Sequence, residues 1–576
     1  MQRRTVKPAL ILLLVLLGAS TAGASSVAEL HVGIHVDEGP LTPYGYTFGY
    51  PGLQLVRVIY DTLFVLDVDR QPQPWMVEDY QISADGLAWR FTLYPDIYFH
   101  DGQALTAYDV AFTYQYMAGH THSTWRRATE LVDAIEVLDE TSFVFRLTEP
   151  QPLFMRRPLA EVPILPAHLW QEVEEPTEFA DATGSGPYQL AEYRSGQFYR
   201  FEAHPDYFRP DYEPALERII MPIIPDQTTL FSSLRTGDIA MATREIPPEL
   251  VEEMERSSAL ALSRGPLFSS QLLLINNEEP YLDTVAFRRA LALMVDTRYL
   301  VDTLRLGYGL RGSSGFVHPD SPWLQATLSP MTQDLDGARA ILDELGFRDI
   351  TQDGYREDPD GAPFSLSILA YAERPERVRT AEIIASWMQE CGINTTVRAM
   401  EAGTVDALVW PDFDVAKGRD FQLATWGWSA GIQELPLSLR EVLHSQGTLN
   451  VGAFSCPDMD AIADQLLGAK SEDDMRPVVT AMAEQAAQTL PFITLWYPES
   501  VYAYQTNAYD GWVFVTGLGV LDKWSLLASR TENGSEDTPA PVEPEDARDT
   551  FDPLIYVIAA IVLVAGVFMM QRRRQT

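Results

Sequence analysis

Apolar and polar residues alternate with a period of two over residues 29–36 (ELHVGIHV), the pattern of a strand with one buried face, and a Gly-Pro turn follows. Over 53–63 the apolar spacing changes to three and four, which predicts a helix. Strand patterns return at 87–93, 131–137 and 142–147. Between the first two of these, Thr106 is placed to cap a helix from about 108 to 117, its hydroxyl accepting from a first-turn amide. Pro150 and Pro152 close this unit.

The second half keeps the same rhythm. A tight turn, Gly184-Ser185-Gly186-Pro187, opens a strand at 188–193, and a strand at 218–224 leads to a helix at 226–234. A short apolar strand at 272–275 precedes helices at 283–299 and 335–345. Residues 364–399 read strand, helix, strand, a unit expected to cross over right-handed. Then come a strand at 421–428, helices at 459–467 and 477–489, and two strands at 492–496 and 501–504. Mixed strands and helices over 576 residues predict an α/β protein of several lobes.

The termini carry different patterns. Arg3, Arg4 and Lys7 precede an apolar run and the A-x-A site Ala22-Gly23-Ala24, so residues 1–24 are expected to be a signal peptide. At the other end, 554–570 (LIYVIAAIVLVAGVFMM) runs seventeen residues without a charge, roughly 25 Å as a helix. Arg572, Arg573 and Arg574 follow it. A single C-terminal transmembrane helix is expected, with residues 571–576 cytoplasmic and the bulk of the chain extracellular at the cell membrane. Residues 531–550 hold three prolines among acidic residues and read as an extended tether. Cys391 and Cys456, the only cysteines, could form one disulfide or none.

The net charge is -39, and six of the 42 basic residues lie in the two terminal segments, so the exported body is more acidic still. Such a surface excludes nucleic acid as a partner. The nine histidines make no H-E-x-x-H, and G-x-S-x-G, dinucleotide and P-loop motifs are missing. No catalytic residue, metal or cofactor is therefore expected. What remains is aromatic density in loops and at a strand end: Tyr44, Tyr46, Phe48, Trp323, Trp426 and Trp428. These rings either pack lobes or line a cleft for a ligand with apolar groups. Trp426 and Trp428, two apart, can share one strand face.

Several segments in order resemble the family 5 extracellular solute-binding proteins of ABC importers, the group of oligopeptide-, dipeptide- and nickel-binding proteins. They are VIYDTL at 58–63, PWMVE at 74–78, FHDG at 99–102, LTAYDVAF at 105–112, GSGPY at 184–188, LRTGD at 234–238 and FRRALALMVDT at 287–297. The resemblance implies a two-lobed periplasmic-binding-protein type II fold with an inserted third domain. Lobe I would comprise 27–57, 175–265 and 475–530, the inserted domain 58–174, and lobe II 266–474. Hinge crossings are implied near Gly265-Pro266 and near 470–477. The implied function is capture of a small, peptide-like solute between the lobes, by a monomer, and delivery to the permease subunits. An oligosaccharide, metal chelate or other small solute is the alternative, and a ligand-sensing surface protein or anchored hydrolase lies further off. In the oligopeptide-binding members a carboxylate three residues after the tryptophan matched by Trp428 pairs with the ligand's amine. Here Gly431 stands at that position, and Glu434 is the nearest acid.

Overall fold

The computed structural model describes residues 29–46, 50–120 and 125–530. Among them twelve strands join in one sheet, with the long strand Phe492–Gln505 near its middle. The first half of that strand pairs antiparallel with Ser270–Ile275, and its second half with Leu260–Pro266. Partners change around Tyr497 and Pro498, where the short strand Gly309–Arg311 lies alongside. The sequence pattern divides this stretch in two, because a proline cannot donate to a ladder. Pro498 instead marks the point at which one continuous strand leaves one half of the sheet for the other.

On one side of this crossing the order is Ser270–Ile275, Leu423–Trp428, Ser365–Tyr371, Asn394–Met400. Leu273, Ile275, Ile368, Ala370 and Leu423 enter one buried cluster, while Leu272, Leu274, Leu369 and Ala424 enter another. Both faces of Ser270–Ile275 are covered, which explains why 272–275 reads as a short apolar run rather than as an alternating pattern. Ser365–Tyr371 and Asn394–Met400 run parallel and are joined by the helix Pro375–Glu390, as the periodicity predicts.

On the other side stand Met241–Ala242, Leu30–Gly33, Arg218–Pro222, Phe198–Ala203 and Tyr188–Arg194. A separate antiparallel sheet, ordered Val77–Ile82, Ala88–Leu93, Ser142–Leu147, Val132–Val137, shares its apolar core with this half. The turn before Tyr188–Arg194 packs tightly at Gly186, where a Cβ would lie 2.3 Å from the Val58 carbonyl oxygen at the end of the helix Gly52–Ile59.

Local chemistry sets the helix ends. Asp226 accepts from the Thr229 amide at 2.8 Å, and the helix Gln227–Thr236 ends on Gly237 at φ 82°. The helix Ala107–Gly119 begins as expected, with a reciprocal capping box in which Asp109 accepts from the Thr106 amide (2.8 Å) and hydroxyl (2.9 Å). The single helix read over 283–299 is two, Val285–Met294 and Thr297–Leu304, because Asp296 caps the second through the Tyr299 amide. The helix Glu472–Thr489 starts before Pro477: Ser471 and Asp474 cap each other, and Glu472, Asp473 and Asp474 complement the positive helix end. Its Met475, Val479, Met482 and Ala486 pack with Leu272 and Trp426. The strand Phe492–Gln505 changes sheet partners around Tyr497–Pro498. Both cysteines are free.

The α/β architecture stands, but the C-terminal membrane helix requires correction. No helix among the described residues is long and apolar enough to cross a membrane. Segment 554–570 lies outside those residues, as do the signal peptide, the tether and Phe48. The sequence run alone therefore does not carry a single-pass anchor.

Candidate functional site

Residues from 66–161 and from 268–435 enclose a cavity of about 40 Å³. Leu66, Arg70, Arg156, Arg157 and Glu161 line one side, and Trp323, Gly431 and Glu434 the other. Arg70 is held in a turn in which Asp67 accepts from the Gln71 amide at 2.8 Å. Its own backbone is left-handed, at φ 61°, as is that of Phe268 at φ 56°, which also lines the cavity. Such backbone costs about 1 kcal/mol or more for residues with a side chain and collects at functional sites.

One ion pair crosses the cavity, and a second ties its wall to the helix Glu472–Thr489. Arg70 Nη2 meets Glu434 Oε2 at 3.2 Å. Arg156 grips Glu472 with two parallel bonds of 2.9 and 3.0 Å, and also donates to the Arg70 carbonyl. Arg157 pairs with Glu161 at 3.2 Å. Burial lifts the Glu161 carboxyl above its ordinary range, opposed by Arg157, Arg57 and Arg70.

Glu434 closes the short helix Ala430–Gln433. Gln433, fully buried, fixes that helix to the neighbouring loop by accepting from the His318 amide (3.0 Å) and donating to the Phe316 carbonyl (3.2 Å). The Trp323 indole donates to the Glu434 carbonyl at 2.7 Å, and its ring lies between the guanidiniums of Arg156 (5.3 Å) and Arg476 (5.7 Å). Glu434 Oε1 is buried and has no hydrogen-bond partner. Gly517 lies against it: a Cβ there would fall 2.4 Å from that oxygen. Gly431 faces open space, with nothing within 4 Å of a Cβ.

The structure thus brings Trp323, Gly431 and Glu434 together and leaves the other named aromatics elsewhere. Trp426 and Trp428 share a face and meet edge-on at 6.2 Å, beside Tyr371 and Trp410. They are buried in the core cluster of the second half and do not line this cavity, although both indole N–H groups lack a partner. Tyr44 packs on Tyr116 and Trp170, and Tyr46 on Trp125, in the core of the first half. The site's arginines and Glu472 escape a search for aromatics and motifs. Their signal is a charge inside an apolar run, as in LFMRRPLA at 153–160 and LQLVRVI at 53–59.

Next to this cavity a larger groove of about 280 Å³ shares Arg157 and Leu435 with it, and is otherwise mostly apolar, with Leu131, Pro152, Leu153, Leu437 and Met475 among its walls. No group of three His, Cys, Asp or Glu side chains among the described residues is placed to hold a metal ion. Charges of both signs beside an apolar groove suit recognition of a small polar solute.

Residues 71–450 match the family model described as bacterial extracellular solute-binding proteins, family 5 Middle. Protein XP55 of Streptomyces lividans is 26% identical over 534 residues, 91% of this chain and 90% of that protein. The oligopeptide-binding protein AppA of Bacillus subtilis is 25% identical over 460 residues, 77% of this chain and 81% of the relative. Among solved structures, the ABC transporter substrate-binding protein CtaP of Listeria monocytogenes superposes with a TM-score of 0.74 at 22% identity, covering 88% of this chain and 99% of that one. That likeness shows the periplasmic-binding-protein-like α/β fold. Neither the fold nor the family supports single-pass anchoring, and the expected membrane localisation is withdrawn with the helix that carried it. With the family model spanning more than half of its length, this chain belongs to the family 5 extracellular solute-binding proteins of ABC importers.

Proposed function

We propose that this chain captures a peptide-like solute between its two lobes and hands it to an ABC-type permease, and that it is not an enzyme. The observation carrying this reading is Glu434. One of its oxygens is neutralised by Arg70, and the other is buried and unpaired. An ammonium brought to that oxygen gains a charge-assisted bond at a position already desolvated. Gly431 leaves the space beside it open, so the acid displaced by three residues takes the role that the resemblance assigns to position 431. The apolar groove across Arg157 and Leu435 offers room for a solute side chain. A relative named as an oligopeptide-binding protein supports the same class of solute.

Lobe boundaries follow the same proposal: 27–57 and 175–265 on one side, an inserted domain at 58–174, and 266–474 opposite. Helix Glu472–Thr489 moves with the second lobe. Closure would turn the lobes about 266–270 and 497–499, the two places where the chain passes between the halves of the sheet. Of the named aromatics, Trp323 would face the solute, while Trp426 and Trp428 would support the floor from behind. Native mass spectrometry of the purified protein tests the reading: a ladder of peptide masses is expected, and a uniform sugar mass would replace it.

A further inference from the structure

The cavity beside Glu434 has a neighbour of opposite character. Between the helix Gly52–Ile59 and the segment 518–524 lies a second cavity of about 40 Å³, which shares Leu66 and Arg70 with the first. Arg57, Tyr60 and Lys523 line it. Lys523 is ion-paired with the fully buried Asp61. Asp522, the one carboxylate in the wall, accepts from the Trp524 amide at 3.1 Å as a helix cap. Arg57 is different. Its Nε is buried without a hydrogen-bond partner, and Glu161 is the carboxylate that feels its charge. The hydroxyl of Tyr60, on a fully buried side chain, is equally unsatisfied. Two buried donors left unbonded in one small cavity cost stability that an incoming acceptor returns.

We infer that this second cavity seats the carboxylate of the solute, with the Arg57 guanidinium and the Tyr60 hydroxyl as donors and Arg70 as a shared charge between the two cavities. Without solute, Arg70 neutralises Glu434. When an ammonium takes the free oxygen of Glu434, Arg70 is shared between the other oxygen and the carboxylate next door, so neither cavity is left with an unpaired charge. A space of this size admits a carboxylate or a water or two, not a side chain. Two cavities that share Leu66 and Arg70 in their walls suit charges that lie close together. An extended peptide adds about 3.5 Å per residue, so the solute is a short zwitterion on the scale of an amino acid or dipeptide rather than a long peptide. This assignment rests on the peptide-like reading of the Glu434 cavity and adds the solute's length and second charge.

The test uses the full protein and two kinds of probe. Sodium acetate is compared with sodium chloride at equal ionic strength by thermal unfolding, and a mixture of dipeptides of Gly, Ala, Leu and Phe is compared with its C-terminal amides by native mass spectrometry. The expected results are a saturable rise in unfolding midpoint with acetate that Arg57→Gln abolishes, and amides at least tenfold weaker than free dipeptides in the wild type but not in Arg57→Gln. Should Arg57→Gln fail to fold, Tyr60→Phe keeps the ring, and acetate is expected to bind it several-fold more weakly. Acetate acting no differently from chloride overturns the inference, as do dipeptides and amides that bind equally, which leave the peptide reading standing. An acetate effect dependent on Arg57 without dipeptide binding keeps the anion cavity and removes the peptide reading.

Discussion

Glu472→Gln tests whether the cleft is held shut by its own side chains. In the structure Arg156, with 6% of its side chain exposed, makes two bonds of 2.9 and 3.0 Å to Glu472, which is 19% exposed. The substitution keeps the shape but removes the charge, and it turns one of the two acceptors into a donor facing the guanidinium. Breaking a buried pair costs about 3–5 kcal/mol. Arg156 keeps the Arg70 carbonyl and the Trp323 ring, and Glu472 is partly wetted, so about 2 kcal/mol is the appropriate figure. That is a shift of roughly thirtyfold in the closed-to-open ratio. Small-angle scattering of the solute-free protein should show a larger radius of gyration in the variant. A double-mutant cycle with Arg156→Leu should give a coupling of about 2 kcal/mol. A coupling below about 0.5 kcal/mol with an unchanged scattering profile would show that the pair follows closure and does not hold it.

Other outcomes follow from particular contacts. Gly431→Asp should fold normally, because nothing lies within 4 Å of its Cβ, and should bind amine-bearing solutes about tenfold more tightly, as calorimetry would show. Gly186→Ala should lose about 3 kcal/mol or more in urea unfolding, since its Cβ would meet the Val58 carbonyl at 2.3 Å and backbone must move. Burial lowers His100 and His318 from 6.5 to about 4. The unfolded chain therefore takes up these protons first as pH falls: their contribution is complete above about pH 6.5 and declines towards pH 4, by at most about 3 kcal/mol each. Unfolding midpoints between pH 4 and 8 should show this slope, and His318→Gln should flatten it.

How far the chain can be read from its sequence differs between fold and site. Strands 365–371 and 394–400, their joining helix and the helix after Asp226 were legible because periodicity and caps are local properties. The single strand Phe492–Gln505 was not, since Pro498 carries the same local signal whether a strand ends or merely changes partners. Asp296 dividing a helix was likewise hidden in a run whose apolar spacing continues through it. At the site, Glu434 and Gly431 were found through the family motif around Trp428. Arg57, Arg70 and Arg156 belong to no motif and lie 278 to 377 residues from Glu434 along the chain.

The sequence by itself therefore determined the strands and helices and, through ordered motifs, the family. Those depend on spacing within a few residues. Only the tertiary structure decided which charges face one another: that Arg70 reaches Glu434, that Arg156 grips Glu472, and that Trp426 and Trp428 turn into a core instead of the cavity. Such pairings join segments hundreds of residues apart. Their energies come from burial and geometry created by the fold, so local pattern carries no record of them.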